Sequence, residues 1–226
     1  PTGHTVLSPY DLNHNLWTSM TDQNGHIVNR VLSNNGNIDK VIDALGKEAS
    51  FTYDSRGLPV SGTDRNGRKT TMAYDLRGNL ISVTDALGNV TQYSYDVIGR
   101  LVSTTDAKVR VTQFAYNGLD KIAQITRPDG TILEMTYDEN NNLLTTKDPL
   151  GHITTMTYNS RDLVETQTDA LGNASSFVYD KRKNLLQVTD AKARTTVFAY
   201  DKADRRKTST DPLNGITRFD YDVAGR

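Results

Sequence analysis

Tyr74-Asp75-Leu76-Arg77-Gly78-Asn79-Leu80-Ile81-Ser82-Val83-Thr84-Asp85-Ala86-Leu87-Gly88-Asn89-Val90-Thr91-Gln92-Tyr93-Ser94-Tyr95 is one complete period of this chain, and its reading decides the fold. Two runs rich in β-branched and aromatic residues, 80–84 and 90–95, are each bounded by Asp and Gly, the pattern of a β-hairpin. The flanking segments Tyr-Asp-x-x-Gly and Thr-Asp-x-x-Gly read as turns. Asp accepts hydrogen bonds from backbone amides two residues on, and Gly supplies the positive φ of a type I turn closed by a G1 bulge.

The unit recurs every 21 residues. Tyr53, Tyr74, Tyr95, Tyr116, Tyr137, Tyr158, Tyr179, Tyr200 and Tyr221 keep that step without a slip. Asp follows at 54, 75, 96, 138, 180, 201 and 222, and Asn at 117 and 159. The second turn carries Asp43, Asp64, Asp85, Asp106, Asp148, Asp169, Asp190 and Asp211, with Arg127 the exception in phase. Its Gly stands at Gly46, Gly67, Gly88, Gly130, Gly151 and Gly172. Val109, Ala193 and Asn214 replace that Gly, so those three turns are expected to be looser or differently shaped. A fixed period of this length means one small unit copied along the chain, and end-to-end hairpins make an antiparallel meander.

Because side chains alternate along a strand, each Tyr shares a face with the residue two before it. That position holds Phe51, Met72, Tyr93, Phe114, Met135, Met156, Phe177, Phe198 and Phe219, giving a double aromatic and Met row. Leu80, Leu101, Ile122, Leu143, Val164 and Leu185 hold a common place in the outgoing strand. The other face of the return strand, mostly Ser, Thr, Ala and Gln, is expected to be polar. Leu32, Gly36, Ile38, Asp43, Gly46 and Phe51 fit the template without the Tyr, while Tyr10-Asp11 sits one residue out of phase; a bulge near Trp17 would absorb the difference. The expectation is one array over 1–226, degenerate over 1–42, regular over 43–226, and cut in mid-repeat at the C-terminus.

Only 36% of the 226 residues are apolar, against the usual share of roughly 45–50%. That supply suits a thin sheet better than a thick core. On the order of twenty strands at about 4.8 Å would make a ribbon about 100 Å long if flat. Strand twist forbids a flat sheet of that width, so the expected fold is all-β, a coiled, open or spiral wall of 21-residue antiparallel hairpins. Propeller blades need roughly 40–50 residues per repeat and fit poorly.

The net charge of −1 gives no electrostatic reason to approach nucleic acid or an anionic membrane. No cysteine is present, which excludes disulfides and thiolate metal sites. No apolar run approaches the length of a membrane-spanning helix. His4, His14, His26 and His152 are read as surface turn residues in unrelated repeat positions, and no metal or cofactor is expected. The Asp row could form a calcium ladder, but calcium-binding repeats carry several carboxylates per loop, so turn capping is the preferred reading. The aromatic rows could stack on sugar rings, yet Trp-rich repeats serve that purpose and Trp17 is the sole Trp. No Ser-His-Asp arrangement or phosphate loop is in phase, so no enzyme is expected.

Tyr95-Asp96-Val97-Ile98-Gly99-Arg100-Leu101, Tyr221-Asp222-Val223-Ala224-Gly225-Arg226 and the Thr-Asp-Ala-Leu-Gly-Asn segments at 84–89 and 168–173 resemble the YD, or RHS, repeat over essentially the whole chain. That family's arrays wind into a hollow β-cocoon, in Rhs polymorphic toxins, Tc-toxin shell subunits, wall-associated bacterial proteins and teneurins. The resemblance implies a non-catalytic segment of a bacterial, exported or envelope-associated shell. Its partners would be the rest of that shell, an enclosed C-terminal toxin or effector, and secretion-system components. The alternative it implies is an extracellular module binding a glycan or a cell-surface protein. Family shells with a toxin end in a self-cleaving core that nothing here matches. Asp148-Pro149-Leu150-Gly151 is similar to its Asp-Pro-x-Gly signature, but Asp148 is the ordinary turn Asp in phase.

Overall fold

The computed structural model describes residues 9–14, 16–22 and 24–222, which form strands and turns without a helix. The chain divides into two compact units, 1–112 and 113–226. In the first, outgoing strands Ser19–Thr21, Ile38–Ile42, Pro59–Thr63, Leu80–Thr84 and Leu101–Thr105 alternate with return strands Ile27–Leu32, Glu48–Tyr53, Lys69–Tyr74 and Val90–Tyr95. In the second, Ile122–Thr126, Leu143–Lys147, Val164–Thr168, Leu185–Thr189 and Arg206–Thr210 alternate with Ile132–Tyr137, Ile153–Tyr158, Ala174–Tyr179, Thr195–Tyr200 and Ile216–Arg218. The strand Val111–Tyr116 contains the division between the units. Within each unit every strand of the meander pairs antiparallel with its neighbours in sequence.

Each hairpin has one straight end and one bulged end. At the Thr-Asp turn the ladder is regular: Val90 lies opposite Thr84, Thr91 opposite Val83 and Gln92 opposite Ser82. At the Tyr-Asp turn the register slips. Ser94 faces Ser103 but Tyr95 faces Leu101, which leaves Val102 as the extra residue. Val60, Ile81, Leu144 and Leu186 hold the same place in their hairpins. A bulge raises local twist and bends the strand, so curvature is written into every copy. The irregular N-terminal phase has a different origin. Tyr10 pairs with Trp17 and Asp11 with Leu16, so the extra residue lies in the connection between them. It does not lie in a special bulge at Trp17.

Among the described residues no hydrophobic side chain is fully buried, and Ser61, 8% exposed, is the one buried polar residue. Each unit is one sheet thick. In Val90–Tyr95 the face carrying Thr91, Tyr93 and Tyr95 is half-buried, while Val90, Gln92 and Ser94 are exposed. That second face is less polar than expected. Ile27, Val90, Ile132, Ile153 and Ile216 add an exposed aliphatic residue at the start of their return strands. Four of these, Ile27, Val90, Ile132 and Ile216, stand opposite Thr21, Thr84, Thr126 and Thr210, where two β-branched side chains pack across the pleat.

Candidate functional site

Functional geometry concentrates in the two sets of turns and in the tyrosines between them. In the turn at 85–89, the Gly88 amide donates to the Asp85 carbonyl at 3.0 Å and the Asp85 amide to the Asn89 carbonyl at 3.0 Å. Asp85 Oδ1 accepts the amides of Leu87 at 2.8 Å and Asn89 at 2.9 Å, and Oδ2 accepts Asn89 Nδ2 at 2.8 Å. One carboxylate thus satisfies three donors that a thin sheet would otherwise leave to water. The Asn89 side chain and amide hold the Asp85 carboxyl below its ordinary value of 3.8. Arg110 on Asp106, His152 on Asp148, Asn173 on Asp169 and Arg194 on Asp190 do the same at the equivalent place. Asp64 and Asp211 cap their turns through the amides of Asn66 and Leu213.

Gly67, Gly88, Gly130, Gly151 and Gly172 take φ between 78° and 86°. Val109, Ala193 and Asn214 were expected to loosen their turns; they do not. Their φ values are 62°, 59° and 65°, and their amides still donate to Asp106, Asp190 and Asp211 at 2.9, 2.9 and 3.0 Å. The carboxylate and the flanking ladder fix the turn, so the side chain is driven into the left-handed region and bears the strain. At Arg127 the cap moves two residues on: Asp129 Oδ1 accepts the Thr131 amide at 2.9 Å and its hydroxyl at 2.7 Å.

The tyrosines act through their hydroxyls. Tyr95 donates to the Leu80 carbonyl at 2.9 Å. Tyr53, Tyr74, Tyr137, Tyr158, Tyr200 and Tyr221 donate to Ile38, Pro59, Ile122, Leu143, Leu185 and Arg206 at 2.8–3.0 Å. Each acceptor opens the outgoing strand, beyond the last ladder pair with the Tyr-bearing strand, a gap beside the residue that bulges against the preceding return strand. The phenol stitches that gap. Tyr116 and Tyr179 occupy the same strand position, opposite Ile122 and Leu185. A signal for this was present in the sequence: the site is Tyr in every regular copy, whereas two residues earlier Phe, Met and Tyr all serve. Only the hydroxyl distinguishes them.

Successive Tyr-Asp turns are bridged as well. Arg56 Nη1 donates to the Asp75 carbonyl at 2.7 Å, and Arg77 reaches the Val97 carbonyl. Asn140 and Asn142 both donate to Asp162 Oδ1, at 2.9 and 2.8 Å. Arg161 reaches the Asp180 carbonyl at 2.6 Å, and Arg182 and Asn184 reach Asp204 at 3.0 and 2.8 Å.

His26 and His152, expected in unrelated places, hold one repeat position. Each Nδ1 meets the turn Asp, Asp22 or Asp148, at 2.9 Å. They lie six periods apart, which the irregular first repeats obscured. His14 bonds Asp11 at 2.8 Å, and His4 lies outside the described residues. Among the described residues no group of three or more His, Cys, Asp or Glu is placed to hold a metal ion. No helix of the structure is long and apolar enough to cross a membrane.

Residues 24–161 match the teneurin YD-shell family, and residues 179–216 match the RHS repeat. No curated protein matches the chain. Among solved structures, the TcdB2-TccC3 complex superposes with a TM-score of 0.65 at 16% identity, over 96% of this chain and 15% of that one. The same complex without its hypervariable C-terminal region gives 0.63 at 16% identity, again over 96% and 15%. The Photorhabdus luminescens Tc holotoxin pore gives 0.59 at 18% identity, over 91% and 13%. At these identities the likeness concerns the fold, and the chain spans about 15% of the length of the first of these structures.

Proposed function

The chain belongs to the teneurin YD-shell family, and on that premise we propose that it is a wall segment of an RHS/YD shell that encloses a toxin or effector and keeps it apart from its surroundings until delivery. The observation that carries this reading is the absence of any buried apolar core among the described residues, in a sheet whose polar groups are spent on its own turns. Such a sheet excludes macromolecules by continuity of backbone and needs no pocket. The work is topological. Tyr phenols and turn carboxylates hold register and curvature, no residue performs chemistry, and no cofactor takes part. In this reading residues 1–226 form a single array.

The partners proposed are the remainder of the shell, a C-terminal cargo and, on export, secretion components; the location is the exterior or envelope of a bacterial cell. The solved TcdB2-TccC3 form without a hypervariable C-terminal region supports a layout in which a shell and a variable C-terminal segment are separable. The alternative, a glycan-binding module, draws no support from Tyr95 and Tyr158, which are half-buried and whose hydroxyls are committed to backbone carbonyls.

The test is protease protection. The longer polypeptide carrying this array is digested intact, and again after several turns are disrupted together by Asp85→Pro with Asp148→Pro and Asp169→Pro, which removes each capping carboxylate and the amide that closes the turn. Enclosure requires the C-terminal segment to survive in the first digest and to be lost in the second. Equal cleavage in both would overturn it.

A further inference from the structure

An asparagine side chain is open to attack by the next main-chain nitrogen, most of all when glycine follows and puts no side chain in the way. Asn-Gly occurs here at 24–25, 35–36, 66–67, 117–118 and 214–215. Most of these glycine amides are tied down. Those of Gly25 and Gly36 donate to the Asp22 and Ser33 carbonyls, each at 3.0 Å, and that of Gly67 to the Asp64 carbonyl at 2.9 Å. The Gly215 amide donates to Asp211 Oδ1 at 2.8 Å. Gly118 differs: it is exposed, and its amide has no acceptor among the described residues.

The turn at 117–121 does not need this glycine. Its φ lies outside the left-handed region, and a Cβ there would meet nothing within 4 Å. Leu76, Val97, Glu139 and Lys181 hold the same place in other copies. The acceptor of the turn is the Asn117 side chain, whose Oδ1 takes the amides of Leu119 at 2.9 Å and Lys121 at 3.0 Å. Two N–H donors on one carbonyl oxygen polarise Cγ and stand where an oxyanion would form.

We infer that Asn117 is a site of self-modification, where the folded chain deamidates without an enzyme. Hydroxide takes the Gly118 amide proton, and the nitrogen bonds to Asn117 Cγ. The Cγ–Nδ2 bond breaks, and Nδ2 leaves as ammonia with a proton from water, which regenerates hydroxide. Water then opens the cyclic imide. Opening at Cγ gives aspartate, the residue this place carries at Asp54, Asp75, Asp96 and Asp138. Asp138 accepts the equivalent amides, of Asn140 at 2.9 Å and Asn142 at 2.8 Å, so that product fits the turn. Opening at the main-chain carbonyl gives isoaspartate, which routes the backbone through Cβ and loses the cap. Asn159 is the internal comparison. Its Oδ1 accepts Arg161 at 2.9 Å and Leu163 at 3.3 Å, but Ser160 follows it and hinders attack.

Peptide mass mapping of the full chain, kept folded at mildly alkaline pH, tests this, since each deamidation adds about 1 Da. Asn117 is expected to convert first, at a rate proportional to hydroxide. Asn24, Asn35, Asn66 and Asn214 should lag at least about fivefold, because each glycine amide must first break a hydrogen bond. In urea that order should vanish. Gly118→Ser, which meets no neighbouring atom, should slow Asn117 to the rate of Asn159. Another Asn-Gly pair reacting as fast in the folded chain, an Asn117 that stays intact until urea is added, or no slowing by Gly118→Ser overturns the inference. None of these outcomes bears on enclosure, which protease protection reads separately.

Discussion

Val109 and Gly88 occupy one position in adjacent turns, and exchanging their characters measures what the turns demand. Val109 has φ 62° and Gly88 φ 83°. The left-handed region costs a side-chain-bearing residue about 1–2 kcal/mol. Val109 is 78% exposed, so removing its side chain forfeits little burial. Val109→Gly relieves that strain but loosens the unfolded chain, an entropic loss of about 0.4–1 kcal/mol. The net expectation is a gain of about 0.5–1 kcal/mol. In a chain of this size that raises the melting temperature by about 1–4 °C. Gly88→Val runs the other way. Nothing stands within 4 Å of a Cβ built on Gly88, so no clash intrudes and the whole loss, about 1 kcal/mol, is conformational. Urea unfolding followed by circular dichroism gives both values, and Val109→Ala, which keeps most of the strain, is the control. If Val109→Gly proves neutral or destabilising while Gly88→Val is tolerated, the turns are not held in the left-handed region and the reasoning fails.

Other consequences can be checked on the same chain. Tyr95→Phe removes the bond to the Leu80 carbonyl and should cost about 1 kcal/mol, read as a lower urea midpoint with an unchanged slope; no loss would mean the phenol clamps nothing. Asp85→Ala leaves the amides of Leu87 and Asn89 without their acceptor and should cost about 1 kcal/mol, with faster hydrogen exchange confined to that turn. The carboxyls of Asp85, Asp106, Asp148, Asp169 and Asp190 lie below 3.8, so the unfolded chain binds protons first. Their stabilisation is complete above 3.8 and is lost as pH falls through the lower folded values; a midpoint that stays level through that acid range would contradict it. His14 works in the opposite sense. The Asp11 carboxylate raises it above 6.5, so its share is present below 6.5 and lost as pH rises through the folded value, a dependence that His14→Gln should abolish.

Much of the fold is legible in the residues themselves. The Tyr step gives the period, Asp and Gly give both turns, and the alternation around Tyr93 and Tyr95 gives the half-buried face. What sequence hides is geometric. The bulge at Val102 has no residue signature of its own, since Val60, Glu165 and Lys207 hold the same place. The bulge that bears on the reach from the Tyr95 hydroxyl to the Leu80 carbonyl is the equivalent one at Ile81, in the strand that Leu80 opens. At Val109 and Ala193 the capping carboxylate and the flanking ladder overrule the local preference for Gly, and nothing in the residue itself signals this. His26 and His152 do not read as one repeat position because the Tyr-Asp phase breaks before Leu32.

Electron cryo-microscopy of the longer polypeptide that carries this array tests the central claim most directly. The account requires residues 9–222 to lie within a continuous wall, with one face turned to a closed interior holding the cargo. An array standing free, with both faces open to solvent and its cargo outside, would contradict it.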